Sequence, residues 1–213
     1  MSAHPHPHVR PPWGEPRPGL LARLAARVRT LLDGEAAGRP AGLPELPLAL
    51  RHGAIAHRYL AAERERRHPD AGAAAAEAAE QAIEARAWWQ ADAWAHRALW
   101  HFEQGEQTLE ATRQARRIGD LRVAAGDPDS ARRYYAEAID EARDIGAEHE
   151  QGLAALGLGR AHLDMGQVTP ARRLAGAAIT LLERSAAPAG EIAAARDLLG
   201  IEMAVGERTE ERS

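Results

Sequence analysis

The stretch from 107 to 186 decides the fold, because it divides into two blocks of forty residues that align with each other. The blocks read QTLEATRQARRIGDLRVAAGDPDSARRYYAEAIDEARDIG (107–146) and AEHEQGLAALGLGRAHLDMGQVTPARRLAGAAITLLERSA (147–186). The matched positions are glycines expected in turns and small residues at helical spacing, where a repeat unit needs them. They pair Gly119 with Gly159, Gly126 with Gly166, Ala131-Arg132-Arg133 with Ala171-Arg172-Arg173, and Ala138-Ile139 with Ala178-Ile179.

The composition favours an all-helical protein. One Phe and three Tyr stand against a large excess of Ala, Arg, Glu and Leu, so residues that favour strands are scarce. The chain has no cysteine, which excludes a disulfide framework, a thiolate metal site and a cysteine nucleophile. It also has neither lysine nor asparagine, so every formal cation is an arginine.

The net charge of −4 is unevenly distributed. Residues 1–69 hold eleven arginines against six acids, about +5, and residues 70–213 hold sixteen against twenty-five, about −9. An acidic main body argues against nucleic acid as a partner, because neutralising phosphates needs a clustered positive face. No apolar run approaches the length of a membrane span, and the N-terminus lacks the apolar core of a secretory signal. We therefore expect a cytoplasmic protein.

Residues 1–19 form an arm in which prolines alternate with His and Arg, a pattern that forbids helix and favours an extended chain. If Met1 is removed, His4 occupies the third position of the mature chain. The terminal amine, two amide nitrogens and that imidazole then make a square-planar set for Cu(II) or Ni(II), to which His6 and His8 could add. The alternative is a solvated tail without a metal.

Residues 20–47 contain a basic amphipathic helix, predicted at 19–33, and a Gly/Pro-rich linker at 34–47. Such a helix can dock into a partner groove, lie on an anionic membrane, or fold back over the apolar end of the helical array. Folding back is favoured, because a bare solenoid end needs a cap. The apolar stripe comprises Leu20, Leu21, Leu24, Val28, Leu31 and Leu32.

Residues 48–206 read as a series of helices of about 16 to 20 residues with short turns, followed by a polar tail at 207–213. A first helix begins at Leu48 and ends before Pro69. Asp70 is expected to cap an Ala-rich run at 71–86, which either continues to 103 as one helix or breaks near Arg86. Later boundaries are expected at Gly105, Asp127-Pro128, Gly146, Thr169-Pro170 and Pro188.

Tryptophans are concentrated between 87 and 102 and predict two adjacent apolar stripes on one helix. Two stripes exceed what a single buried face requires, so part of this surface is either an interface or the seat of the N-terminal helix. The alternative is ordinary core at a thick part of the array. One stripe comprises Trp88, Ala91, Ala95, Leu99 and Phe102, and the other Trp89, His96 and Trp100.

The repeated block resembles the tetratricopeptide repeat in its roughly forty-residue variety, as in kinesin light chains and the tandem arrays of large bacterial regulators. The likeness lies in Gly126, Ala131, Tyr135 and Ala138 with Gly119 ahead of them, and in Gly166, Ala171, Ala175 and Ala178 with Gly159 ahead. It implies an all-α array of antiparallel helix hairpins, a short right-handed solenoid, in which small residues let paired helices approach closely.

The resemblance also implies where a partner binds. In this family the partner lies in the concave groove lined by the first helix of each pair, here 107–125, 148–165 and 188–205. Guanidinium groups there would suit an acidic peptide or a C-terminal carboxylate, although pairing of the arginines with nearby acids is the alternative. The implied groove residues are Arg113, Arg116, Arg117, Leu153, Leu156, Arg160 and Arg196.

No catalytic motif is apparent, since the histidines are scattered and HExxH, GxSxG and phosphate-loop patterns are absent. We therefore expect no enzymatic activity and no cofactor. The favoured interpretation is a protein-interaction scaffold that binds a protein partner or assembles with itself, through the groove or through the surface around Trp89 and Trp100. The alternative is a membrane- or complex-associated assembly factor anchored by 19–33.

Overall fold

The computed structural model describes residues 53–210, with side chains described for 53–200. The described part is all-helical and contains no strand. Eight helices follow one another, and each packs against its neighbours in a repeat-like arrangement. They are α1 (Ala54–Arg64), α2 (His68–Glu84), α3 (Trp88–Gln104), α4 (Thr108–Ala124), α5 (Pro128–Asp144), α6 (Glu148–Asp164), α7 (Val168–Arg184) and α8 (Ala189–Glu210).

The helices follow a twenty-residue rhythm. From α2 to α7 each helix is 17 residues long. Three residues join each helix from α2 to α6 to the next, so the helices from α2 to α7 begin twenty residues apart, and four residues join α7 to α8. Because consecutive helices run in opposite directions, the structural unit is a hairpin of forty residues, which confirms the block length read from the sequence.

Every turn between the helices uses the same hydrogen bonds. After α2 the N–H of Arg86 donates to the carbonyl of Ile83 (2.9 Å), and that of Ala87 donates to the carbonyl of Ala82 (2.8 Å). This Schellman arrangement satisfies the last carbonyls of a helix and requires a left-handed residue. Those residues recur every twenty positions: Arg66, Arg86, Glu106, Gly126, Gly146, Gly166 and Ala186, with φ from 52° to 76°.

The segment 71–103 is therefore two helices, broken at Arg86. Two predicted caps are wrong. Asp70 lies inside the first turn of α2, because the carbonyl of Arg67 already accepts from the N–H of Ala71. Thr169 lies inside α7, which begins after Gln167 without a side-chain cap. The predicted cap at Asp127 is confirmed, since its carboxylate accepts from the N–H of Ser130 at 3.1 Å.

Helices pair as α2 with α3, α4 with α5, and α6 with α7, and the pairs stack in order. Small residues make this close approach possible, as the repeat pattern predicts: Ala131, Ala138, Ala171 and Ala178 are fully buried. In addition, α4 touches α6 and α6 touches α8, each across an intervening helix. Helices α5 and α7 contact each other less than α4 contacts α6. The array therefore curves so that α4, α6 and α8 lie on its inner side. We call α2, α4, α6 and α8 the inner helices.

Gly119 and Gly159 do not form turns, contrary to the sequence interpretation, but lie inside α4 and α6. A Cβ on Gly119 would stand 2.7 Å from the ring of Tyr135, and one on Gly157 would overlap the same ring even more closely. A Cβ on Gly159 would likewise stand 3.0 Å from the side chain of Leu198 on α8. The ring of Tyr135 thus fills a window between two inner helices that only glycines leave open.

The tryptophan stripes are rearranged in the structure. The buried tryptophan of α3 is Trp94, which lies on neither predicted stripe and packs edge-on against Tyr59 with ring centroids 5.1 Å apart. Phe102 of the first stripe is buried as predicted. Trp88, placed on the buried stripe by the sequence pattern, is 49% exposed at the first position of the helix. Trp89 is 58% exposed, and Trp100 is half-buried.

Several sequence predictions concern residues outside the described range. They are the arm with His4, His6 and His8, the helix at 19–33, the linker, and the end of the tail. Helix α8 continues to Glu210, four residues past the expected boundary at Gly206. Within the described residues, no helix is long and apolar enough to cross a membrane.

Candidate functional site: the groove of the inner helices

The centre of the groove is an ion-pair cluster between α4 and α6. Arg113 donates from Nε to Glu150 Oε1 at 2.8 Å, and Arg116 Nε lies 3.4 Å from Glu150 Oε2. Arg113 also donates from Nη1 to Glu110 Oε1 at 2.8 Å. Glu150 is nearly fully buried, so its charge depends on these two guanidinium groups, and its hydrogen bond raises the pKa of Arg113. The cluster ties neighbouring repeats together.

Two more polar contacts continue this line along the inner helices. Arg117 of α4 forms an ion pair with Glu80 of α2, and His149 Nε2 of α6 lies 2.6 Å from Glu191 Oε2 of α8, within hydrogen-bond distance. All four inner helices are therefore connected side by side by polar side chains. A row of this kind fixes the spacing of the repeats, and it also neutralises part of the positive charge that the sequence places in the groove.

Tyr135 brings a phenol from the outer layer into this cluster. Its hydroxyl reaches between α4 and α6 and donates to Asp120 Oδ1 at 2.7 Å. Asp120 in turn accepts from Arg116 Nη1 at 3.0 Å. Burial, and next the charge of Asp120, raise the pKa of Tyr135 far above its usual value. The phenol therefore keeps its proton at neutral pH and holds Asp120 in place.

The remaining predicted groove residues take three different positions. Arg160 is exposed on α6, three positions beyond the glycine window, and no acid within the described range pairs with it. Leu153 is half-buried on the same helix, whereas Leu156 is only 4% exposed and belongs to the core. Arg196 of α8 points to α7 and contacts Glu183 at 2.6 Å.

The structure thus brings Arg113, Arg116 and Arg160 to the α4–α6 part of the groove and leaves Trp89 and Trp100 elsewhere. Trp89 begins α3, at the N-terminal end of the array. Trp100 packs edge-on against His101, with ring centroids 4.6 Å apart. The groove and the tryptophan surface are separate places on the molecule.

A buried polar chain that sequence reasoning missed lies under Trp100. The Nδ1 atoms of His68 and His101 are 3.1 Å apart, His101 Nε2 lies 3.2 Å from the hydroxyl of Tyr59, and that hydroxyl donates to Glu63. A consistent proton arrangement has His68 donating to His101 and His101 donating to Tyr59. Among the described residues, no group of three or more His, Asp or Glu side chains is placed to hold a metal ion.

Sequence reasoning also missed Glu150 and Asp120, the acids that organise the groove. Glu150 lies 37 residues after Arg113, close to one forty-residue period. Once α4 and α6 are known to be adjacent inner helices, that spacing predicts facing side chains. The period was therefore the signal that could have found Glu150.

No protein-family profile, curated protein or solved structure matches this chain. The class of the protein consequently follows from its architecture: an array of antiparallel helix hairpins with a polar groove along one layer of helices.

Proposed function

We propose that the chain is a cytoplasmic, non-catalytic scaffold of tetratricopeptide type that binds an acidic segment or C-terminus of a partner protein between α4 and α6. The observation that carries the proposal is Arg160, an exposed cation in the groove without an acidic partner among the described residues. Arg113 and Arg116 lie on the facing helix, and both side chains are still partly exposed. Guanidinium groups favour carboxylates because they donate two parallel hydrogen bonds.

The geometry suits a short extended segment. Leu153 offers a half-buried apolar surface two turns before Arg160 on α6, and a ligand lying along that helix would meet both. Glu150 does not oppose the ligand, because its charge is already matched by Arg113 and Arg116. Tyr135 and Asp120 hold Arg116 from below, which limits the side-chain entropy lost on binding.

Selection from a library of displayed peptides tests this function. The full-length protein should enrich peptides with a free C-terminal carboxylate or clustered Asp and Glu. The Arg160→Glu variant should lose that enrichment, whereas Arg173→Glu, at an exposed position of the outer helix α7, should keep it. Equal enrichment by wild type and Arg160→Glu, or selection of basic or apolar peptides, would remove the proposal.

A further inference from the structure

A pocket of about 370 Å³ opens between α1, α2 and α3 at the N-terminal end of the described array. Its floor is apolar and made mainly of alanines, which leave room for larger side chains. Its rim is exposed or half-exposed. The floor residues are Ala56, Ala78, Ala82 and Trp94, and the rim includes Gly53, Ile55, Gln81, Ala85 and Gln90.

Two large apolar side chains stand beside this pocket. Trp88 and Trp89 lie between the rim residues Ala85 and Gln90 in the chain and are 49% and 58% exposed. Exposed tryptophans next to an apolar pocket are typical of a docking surface, because they gain buried area when a second apolar element covers them.

Helix α1, which forms one wall of the pocket, is the first described element of the array. It packs against α2, and its Ile55 and Leu60 remain only half-buried. The terminal unit of a repeat array needs a cover for the apolar face that an interior unit buries against its neighbour. We therefore expect one more apolar element to cover this end of the described array.

We propose that the amphipathic segment 19–33 of the same chain occupies this pocket. The described chain begins at Gly53, which is itself a pocket residue, so the preceding residues leave from the rim. Residues 34–52 separate the segment from that point. The predicted Gly/Pro-rich linker at 34–47 makes up most of this separation, and a linker of that length has an average reach of about 20 Å and gives an effective concentration on the order of millimolar.

The chemistry of the segment matches the pocket. Its apolar stripe consists of five leucines and one valine, which are large side chains for an alanine floor. It carries three arginines and one aspartate, whereas residues 70–213 carry a net charge of about −9. Leucine side chains bury apolar area in the pocket, while the basic face of the helix stays toward solvent or the acidic body.

Distance measurement between two spin labels tests the docking in the full-length chain. The protein has no cysteine, so Ala22→Cys and Glu84→Cys provide the only labelling sites without further changes. Ala22 lies outside the apolar stripe of the predicted helix, so its label leaves the docking face intact. Glu84 is exposed at the end of α2, one residue from the rim. Docking gives a short and narrow distance distribution for this pair. The pair Ala22→Cys and Arg173→Cys, with its second label on α7, gives a longer one.

Two matched substitutions identify the face that docks. Val28→Asp places a charge in the middle of the apolar stripe and should abolish the short distance. Ala26→Asp adds the same charge on the opposite side of a helix, two residues away, and should leave the distance unchanged. Ala82→Phe fills the pocket from its floor and should also abolish the short distance while circular dichroism shows that the helices remain.

Each alternative occupant gives a different result that overturns the proposal. A short distance between singly labelled Ala22→Cys and Glu84→Cys chains mixed together would assign the pocket to a second copy. A short distance that is insensitive to Val28→Asp would show that the apolar stripe does not occupy the pocket. A broad distribution in the labelled protein without further substitutions would show that 19–33 does not dock. A defined position of the segment only after adding anionic vesicles would assign it to a membrane.

Discussion

Arg86 and Gly126 occupy the same position of the same turn, with φ of 55° and 76°. A left-handed conformation brings Cβ close to the backbone and costs a residue with a side chain about 1 kcal/mol or more. Four of the seven turns carry such a residue: Arg66, Arg86, Glu106 and Ala186. These four turns therefore store backbone strain that the turns at Gly126, Gly146 and Gly166 avoid.

We expect Arg86→Gly to raise the free energy of unfolding by about 1 kcal/mol, because glycine adopts this conformation freely. Gly126→Ala should lower it by about the same amount, and for the same reason. No atom lies within 4 Å of a Cβ on Gly126, so only backbone strain is added. Urea unfolding followed by circular dichroism measures both changes. A loss of stability in Arg86→Gly would contradict the strain argument.

Glycine is required at 157 for a different reason, because the ring of Tyr135 occupies the space that a Cβ would take. We expect Gly157→Ala to lower the free energy of unfolding by about 1–3 kcal/mol, because its Cβ would overlap the ring. Gly176, inside α7, has nothing within 4 Å, so Gly176→Ala should raise stability by up to about 1 kcal/mol through helix propensity. Thermal unfolding of both variants distinguishes the window from a general effect of glycine. Equal shifts of the two melting temperatures in the same direction would show that the ring of Tyr135 does not require glycine at 157.

At this scale the sequence predicts the turns only where glycine marks them. Arg86 gives no local turn signal, since an arginine in the left-handed region looks like any other helical arginine. Projecting the forty-residue period back from Gly126 brings one to Arg86, and for that reason the sequence left open whether 71–103 breaks there; the common twenty-residue spacing of Gly126, Gly146 and Gly166 favours the break. The contact of Tyr135 with Gly157 leaves no local sequence signal, because it joins residues on two different helices.

The helices themselves are held together by side chains near their ends. His162, in the last turn of α6, lies 2.6 Å from the side-chain oxygen of Gln167, which precedes α7. Burial lowers the pKa of His162 below its ordinary value of 6.5. Protons therefore bind more tightly to the unfolded chain than to the folded one.

We expect the His162 contribution to stability to be complete above pH 6.5 and to decline as the pH falls below that value. His162→Gln cannot bind the proton, so its unfolding free energy should fall less than that of the wild type between about pH 7 and about pH 5. Urea unfolding at a series of pH values measures the difference. Parallel pH curves would show that His162 does not contribute.

At the scale of elements, helix existence and the forty-residue hairpin follow from the repeated block. Boundaries follow less well, because Asp70 and Thr169 look like caps but lie one or two residues inside their helices. The backbone turn fixes those starts, and side-chain capping does not. The pairing of His68 with His101 joins residues 33 apart in the first hairpin, which no local pattern indicates.

The whole molecule behaves as a series of forty-residue units in this account. Deleting 147–186 joins Gly146 to Ala187 and keeps the turn, so we expect a shorter array that still unfolds cooperatively with a smaller urea dependence. Deleting only 147–166 keeps the turn too, but places the outer helix α7 in an inner position. That variant should lose cooperative unfolding. Similar behaviour of both deletions would mean that the unit is twenty residues.

The sequence could indicate the groove only through a resemblance to a repeat family. The resemblance predicts Arg113, Arg116 and Arg160 in one groove, and in the structure Arg113 and Arg116 both contact Glu150 of α6, the helix that also carries Arg160. It could not show that Glu150 and Glu80 neutralise much of this charge, since those contacts depend on how adjacent repeats stack. Arg160 stands out only once the ion pairs are known.

The central claim is that the α4–α6 groove binds carboxylates, and calorimetric titration with the best peptide from the library selection tests it most directly. Arg160→Glu should weaken binding by about tenfold or more, because a charge-assisted hydrogen bond is worth about 1.5–3 kcal/mol. Arg173→Glu makes the same charge change on the outer layer. Its affinity for the peptide should stay within about twofold of the wild-type affinity at the same salt concentration. An equal loss in both variants, or none in Arg160→Glu, would contradict the claim.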